Sequence, residues 1–187
     1  MKKRGSEKNF LRIRMFLSLW VWLIVAWGCQ AQEPPLSPAA QAFKQEVQQA
    51  IGLVAKELVK PVARSDVSGI NAGLEKIMPS SIKLCRACPF MMGVLDSNGV
   101  ILAIYPPKKD YSRHYSDYKL VMKALEKGEI CHGRLFLQDG SKLYTICSPL
   151  KEEGKAVGIL VLTTTDEEVK QRWGLSEEEF AAINFNK

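Results

Sequence analysis

Only two histidines, His114 and His132, occur in the 187 residues, so mechanisms built on histidine clusters have little to draw on. The chain lacks a Gly-rich phosphate loop, a His-Glu-x-x-His pair, a Gly-x-Ser-x-Gly elbow and a protein-kinase signature. Phosphoryl transfer, zinc proteolysis and serine-nucleophile hydrolysis each need one of these. Acidic residues do cluster, as Glu152-Glu153 and Glu177-Glu178-Glu179, but in turn or helix contexts typical of solvated faces rather than as opposed carboxylates. No internal repeat and no low-complexity tract is present. The expectation is a chain with no enzymatic activity, no cofactor and no resident metal.

A basic surface is lacking too, although the formal charge is +6. Lys2, Lys3, Arg4, Lys8, Arg12 and Arg14 are six of the 26 basic residues and stand before an apolar run, opposed only by Glu7. From Cys29 onward 20 basic residues face 19 acidic ones, so the excess belongs to a targeting flank and no nucleic-acid partner is expected. The length allows one domain of ordinary size beside that flank.

The run from Met15 to Trp27 is apolar, of a length suited to the core of an export signal and short for a bilayer span. It ends in Ala26-Trp27-Gly28-Cys29, which resembles the lipobox of bacterial lipoproteins, where small residues precede a cysteine that is lipidated and becomes the mature N-terminus. Ala26 stands where a larger aliphatic residue is usual, and Trp27 where a small one is. The resemblance makes Cys29 the lipidation site. An uncleaved anchor is the alternative, because no charge falls between Arg14 and Glu33. Both readings tether the chain to a membrane with its domain outside the cytoplasm. Residues 1–28 are then signal or anchor, and 29–36, with Pro34-Pro35, a stiff spacer.

Beyond the spacer, Ser37-Pro38 signals a helix start, and Phe43, Val47, Ile51, Val54 and Leu58 recur at helical spacing until Pro61. Asp66 is a cap for a second helix with Val67, Ile70, Leu74 and Ile77 on its apolar face, ended by Pro79. Phe90–Leu95 and Val100–Tyr105 flank Asp96-Ser-Asn-Gly99, which predicts a β-hairpin. After a polar loop, Ser116 is placed to cap a short helix with Tyr118, Val121, Ala124 and Leu125, closed by Gly128. Strands are predicted again at Arg134–Leu137, Lys142–Cys147 and Val157–Thr163, then two short helices between Asp166 and Ile183 in which Trp173 and Phe180 are candidate packing or partner contacts.

This order, with Val94-Leu-Asp-Ser-Asn-Gly-Val-Ile-Leu-Ala103, Tyr118–Gly128, Tyr144–Leu150 and Ala156–Leu162, is similar to the extracytoplasmic PAS-like sensor domains called Cache or PDC domains. The resemblance runs from about Ser37 to Thr165, leaving 166–187 as a helical tail. It implies an α+β fold, a five-stranded antiparallel sheet packed on a long N-terminal helix, with ligands held between the sheet and the helix-loop crossover. It also implies a sensor that binds a small molecule. With one module and no output region in the sequence, signalling is expected through a membrane partner.

The crossover holds Lys108, Lys109, Arg113, His114, Tyr115 and Tyr118, groups suited to a small anionic or zwitterionic ligand. Arg113 can grip a carboxylate through two parallel hydrogen bonds, and a tyrosine ring can close over it. Tyr105, Arg113, His114, Tyr115, Tyr118 and Tyr144 make up the expected ligand set. The bland alternative is a solvated loop and a helix whose tyrosines pack on the sheet.

Cys85, Cys88, Cys131 and Cys147 are compatible with disulfides, with a Cys-rich metal site, or with an envelope redox protein as the alternative function. Pro89 after Cys88 argues against a thioredoxin-like helix start and against haem attachment. A tight turn at Asp139-Gly140 would set residues summing to about 279 opposite one another, so Cys131 and Cys147 are expected nearly opposite, one bulged residue short of register. His132 would point to the other strand face.

Overall fold

Ser37 opens helix α1 (Pro38–Ala63) as its type predicts, its hydroxyl accepting from the Ala40 amide at 3.2 Å, with Pro38 at the first helical position. The computed structural model describes residues 35–84, 90–107, 115–136 and 140–187. The export segment, Cys29, Cys85, Cys88, Arg113 and His114 lie outside the described residues. Among the described residues no helix is long and apolar enough to cross a membrane.

One stripe of α1, Phe43, Val47, Ile51, Val54, Leu58 and Val62, is buried. The helix does not stop at Pro61. Pro61 lies in the last turn, where its missing N–H costs a single bond and its carbonyl still accepts from the Arg64 and Asp66 amides. Helix α2 (Val67–Leu84) is capped by Asp66, whose carboxylate accepts from the Gly69 amide at 2.9 Å. It continues past position 79, and Val67, expected on the apolar face, is exposed at its first position.

Strands β1 (Met91–Asp96), β2 (Ile101–Tyr105), β3 (Cys131–Phe136), β4 (Lys142–Glu152) and β5 (Lys155–Thr165) form one antiparallel sheet in the order β2-β1-β5-β4-β3. In the first hairpin, Asp96 Oδ1 accepts from the Asn98 and Val100 amides, both at 2.8 Å, and Gly99 takes the positive φ that completes the turn. A register shift after Val94 leaves Leu102 half-buried.

The second hairpin departs from expectation in register: Cys131 stands directly opposite Cys147, and no bulge is needed. Strand β3 thus begins three residues before the predicted Arg134, while β4 and β5 outrun their predicted ends. Pro149 fits inside β4 because pairing with β3 ends at Cys147, so the missing donor leaves no ladder bond broken on that side.

Helix α3 (Lys119–Lys127) is the crossover helix. Ser116 does not cap it; Tyr118 occupies that position without a side-chain cap, and its carbonyl accepts from the Val121 and Met122 amides. Gly128 ends the helix in the left-handed conformation, as predicted. Helices α4 (Asp166–Trp173) and α5 (Glu177–Ala182) follow β5, the second with a reciprocal Ser176/Glu179 capping box.

The sheet therefore has two unlike faces. On one, α1 and α2 join Trp173, Phe180 and Phe185 over Val94, Tyr144, Ile146, Leu160 and Leu162. Phe43 is the hub, with ring centroids 4.9 Å from Trp173, 6.0 Å from Phe180 and 6.3 Å from Phe185. At Gly158 an added Cβ would stand 2.5 Å from Val62 Cγ1, so the missing side chain is what admits α1 to the sheet. On the other face, among the described residues, α3 and the end of the crossover cover Leu95, Ile101, Cys131, Cys147, Ile159 and Val161.

Candidate functional site

The crossover returns to the sheet at Tyr115, whose amide donates to the Gly99 carbonyl at 2.8 Å, so the first hairpin's turn fixes where the loop lands. From there the half-buried Tyr115 ring packs against the cluster under α3 and stacks on Tyr118 with centroids 4.8 Å apart. Burial, reinforced by neighbouring Tyr118, raises the Tyr115 pKa above its ordinary value. Tyr118 is exposed and forms the outer leaf of the pair.

Beneath Tyr115 is a cavity of ≈ 70 Å³ whose lining includes Gly93, Ile104, Val161 and Thr163. Its origin is local. Gly93 sits in the middle of β1 between Ile104 and Val161, so the strand offers no side chain where the face would otherwise be filled. An added Cβ at Gly93 would lie 3.7 Å from Leu95 Cδ1 and 3.7 Å from Val161 Cβ, ordinary contact distances, so the space is real. Thr145, opposite Thr163, projects from this same face because Tyr144 and Ile146 project from the other. It is 3% exposed, and its hydroxyl has no hydrogen-bond partner among the described residues. A buried hydroxyl without a partner carries a cost of about 1–3 kcal/mol. The face thus combines an apolar hollow with hydroxyls from Thr145, Thr163 and Tyr115.

Of the six residues expected at a ligand, Arg113 and His114 lie outside the described residues, and of the four described ones Tyr115 and Tyr118 come together. Tyr105 packs on the α1/α2 face. Tyr144 is buried on that same face, its ring 4.3 Å from Phe180 and its hydroxyl donating to Asp166 Oδ1 at 3.0 Å. Burial first, then Asp166, pushes its pKa up to about 12. Strand parity separates these two tyrosines from the crossover. Gly93, Thr145 and Thr163 were not anticipated; a glycine inside a strand run is the one signal that pointed there.

Cys131 and Cys147 face each other within the cluster under α3, both free and both buried. Burial first, then the neighbouring Cys131, pushes Cys147 up to about 12. His132, on the opposite face, packs edge-on against Phe180 and Phe185, and burial lowers its pKa. Among the described residues no group of three potential ligands is arranged for a metal ion.

Neither a protein-family model nor a curated protein matches the chain. Among solved structures, the extracellular domain of vpHK1S-Z8, described as a histidine kinase, is similar over 75% of this chain and 57% of its own, with TM-score 0.53 and 14% identity. The chain has the Cache/PAS-like sensor fold. Two further sensor structures resemble it at lower scores. The sensor domain of the Vibrio cholerae histidine kinase DctB has TM-score 0.49 and 13% identity over 73% of this chain and 61% of its own. The ligand-binding domain of the Pseudomonas aeruginosa chemoreceptor PctC, solved with GABA, has TM-score 0.48 and 14% identity over 72% and 59%. The Cache-like chain spans about three fifths of the length of each of these sensors.

Proposed function

We propose that this chain is an extracytoplasmic, membrane-tethered binding module that holds a small molecule under Tyr115 and passes its occupancy to a membrane partner. One observation carries the reading: the hollow at Gly93, lined by Tyr115 and Thr163, lies on the face where the Cache resemblance expects a ligand. At ≈ 70 Å³ it is small beside the roughly 300–1,000 Å³ of sites for drug-sized compounds, which favours a compact ligand. Arg113 and His114, five and four residues before Tyr118 in sequence, would supply charge for an anionic or zwitterionic one. The tether is the lipid on Cys29 or, failing cleavage, the uncleaved segment from Met15 to Trp27.

The test is a thermal-shift screen of the detergent-solubilised chain against amino acids, carboxylates and amines. A binder at about 100 times its Kd adds about 2.7 kcal/mol of apparent stability. The shift is expected to shrink in Arg113→Ala and Tyr115→Ala. If no class shifts the parent chain, or if both variants shift as the parent does, the cavity is not a ligand site. The tether has its own check: intact mass after solubilisation shows a diacylglyceryl addition at Cys29, an uncleaved N-terminus, or neither.

A further inference from the structure

The directly opposed cysteines of the second hairpin carry an inference separate from ligand binding. We infer that Cys131 and Cys147 form a thiol–disulfide exchange site at which a low-molecular-weight disulfide closes a reversible bridge between β3 and β4. Their opposition supplies the geometry: directly paired residues of antiparallel strands have Cα atoms about 4.5–5.5 Å apart, inside the roughly 4.4–6.8 Å that a disulfide spans. Both side chains lie on one face, in the cluster that Val121 and Ala124 of α3 cover, while His132 and Ile146 beside them point the other way.

The two thiols are not equivalent. Cys147 is fully enclosed on an inner strand, whereas Cys131 borders an open groove of ≈ 360 Å³ that Lys123, Lys127 and Asn186 also line. Burial raises the Cys131 pKa and the lysines offset only part of that rise, so access to the groove is what sets Cys131 apart from Cys147. Cys131 is thus the attacking thiol and Cys147 the resolving one.

In the first step the Cys131 thiolate attacks one sulfur of the incoming disulfide. That S–S bond breaks, and one half leaves as a thiol carrying the proton that Cys131 gave up. Cys147 then loses its proton and attacks the Cys131 sulfur, the mixed disulfide breaks, and the second half leaves as a thiol. The cysteine pair loses two electrons and two protons, and the reagent gains them. Opposed Cβ atoms begin about 4.5–5.5 Å apart and a bridge wants roughly 3.5–4.5 Å, so the strands must draw together. Strand β3 can do this because it is an edge strand, paired on one side only. A bridge closed under such strain is the kind most readily reduced again.

The detergent-solubilised full chain, reduced and then equilibrated with oxidised glutathione at mildly alkaline pH, is alkylated, digested and mapped by mass. The expected product is a peptide pair joined through Cys131 and Cys147, absent after re-reduction. Cys147→Ser is expected to trap glutathione on Cys131, and Cys131→Ser to leave Cys147 unmodified. Mapping of the parent chain decides the matter even where a variant fails to fold. Separate alkylation of the two cysteines after oxidation, or their bridging only to Cys85 or Cys88, overturns the proposal.

Discussion

The two faces of the sheet are built from the same five strands, yet one is filled and the other, among the described residues, is thinly covered. Against α1 the sheet turns Met92, Val94, Tyr144, Ile146, Leu150, Leu160 and Leu162 inward, leaving Gly158 bare for the helix, and rings from α4, α5 and the segment after α5 meet at Phe43. Against the crossover the inward row includes Gly93, two threonines and two cysteines. Close packing on one side secures the fold, which frees the other side to keep a hollow that would be expensive in a marginal structure.

The comparison breaks first at its strongest point. Phe43→Ala should destabilise by about 3–5 kcal/mol in urea unfolding, since the surrounding rings cannot collapse into the space. A cost under about 1 kcal/mol would mean that the filled face is not the foundation.

The thin face should reveal itself in alkali. In the folded, reduced chain Cys147 holds its proton up to about 12, while an unfolded thiol releases it near its ordinary value of 9.0. The folded state then binds more protons, so stability falls as pH rises through that window, by on the order of 4 kcal/mol for this group. Tyr144, also held up to about 12, adds to the loss above its ordinary value of 10.0. Cys147→Ala should flatten the lower part of the profile, and an unchanged profile would refute the assignment.

A smaller effect distinguishes the tyrosines. Tyr144→Phe removes the bond to Asp166 and should cost about 0.5–1.5 kcal/mol while leaving ligand shifts intact. Smallest in stability but decisive for binding is Gly93→Ala. Its methyl fits at ordinary contact distance, so the unfolding midpoint should move by less than about 1 kcal/mol while any ligand-induced shift declines. Equal ligand shifts in the two chains would place the ligand away from the hollow.

Much of the architecture could be read from residues whose meaning is local. Ser37-Pro38, Asp96–Gly99, Gly128 and the apolar periodicities located helices, hairpins and stops because capping and turn chemistry act within a few residues. Pro61 and Ser116 misled for a related reason. A proline costs little in a last helical turn, and a capping residue two positions early cannot reach the helix. The site was less legible. Which face a tyrosine joins depends on strand parity across the whole sheet, and the register at Cys131 depends on a loop length that composition does not fix. The hollow was harder still, being defined by what Gly93 lacks.

Asn186 has a consequence that reaches beyond the single chain. Its side-chain amide accepts from the Ile130 amide at 2.8 Å and donates to the Ile130 carbonyl at 3.0 Å, while Gln48 holds the Phe185 carbonyl at 2.9 Å. An asparagine thereby occupies the two backbone groups that a sixth strand would use to begin pairing beside β3. The last residues act as a stopper beside β3 at the edge of the sheet, and copies crowded together are denied one starting point for strand-by-strand association.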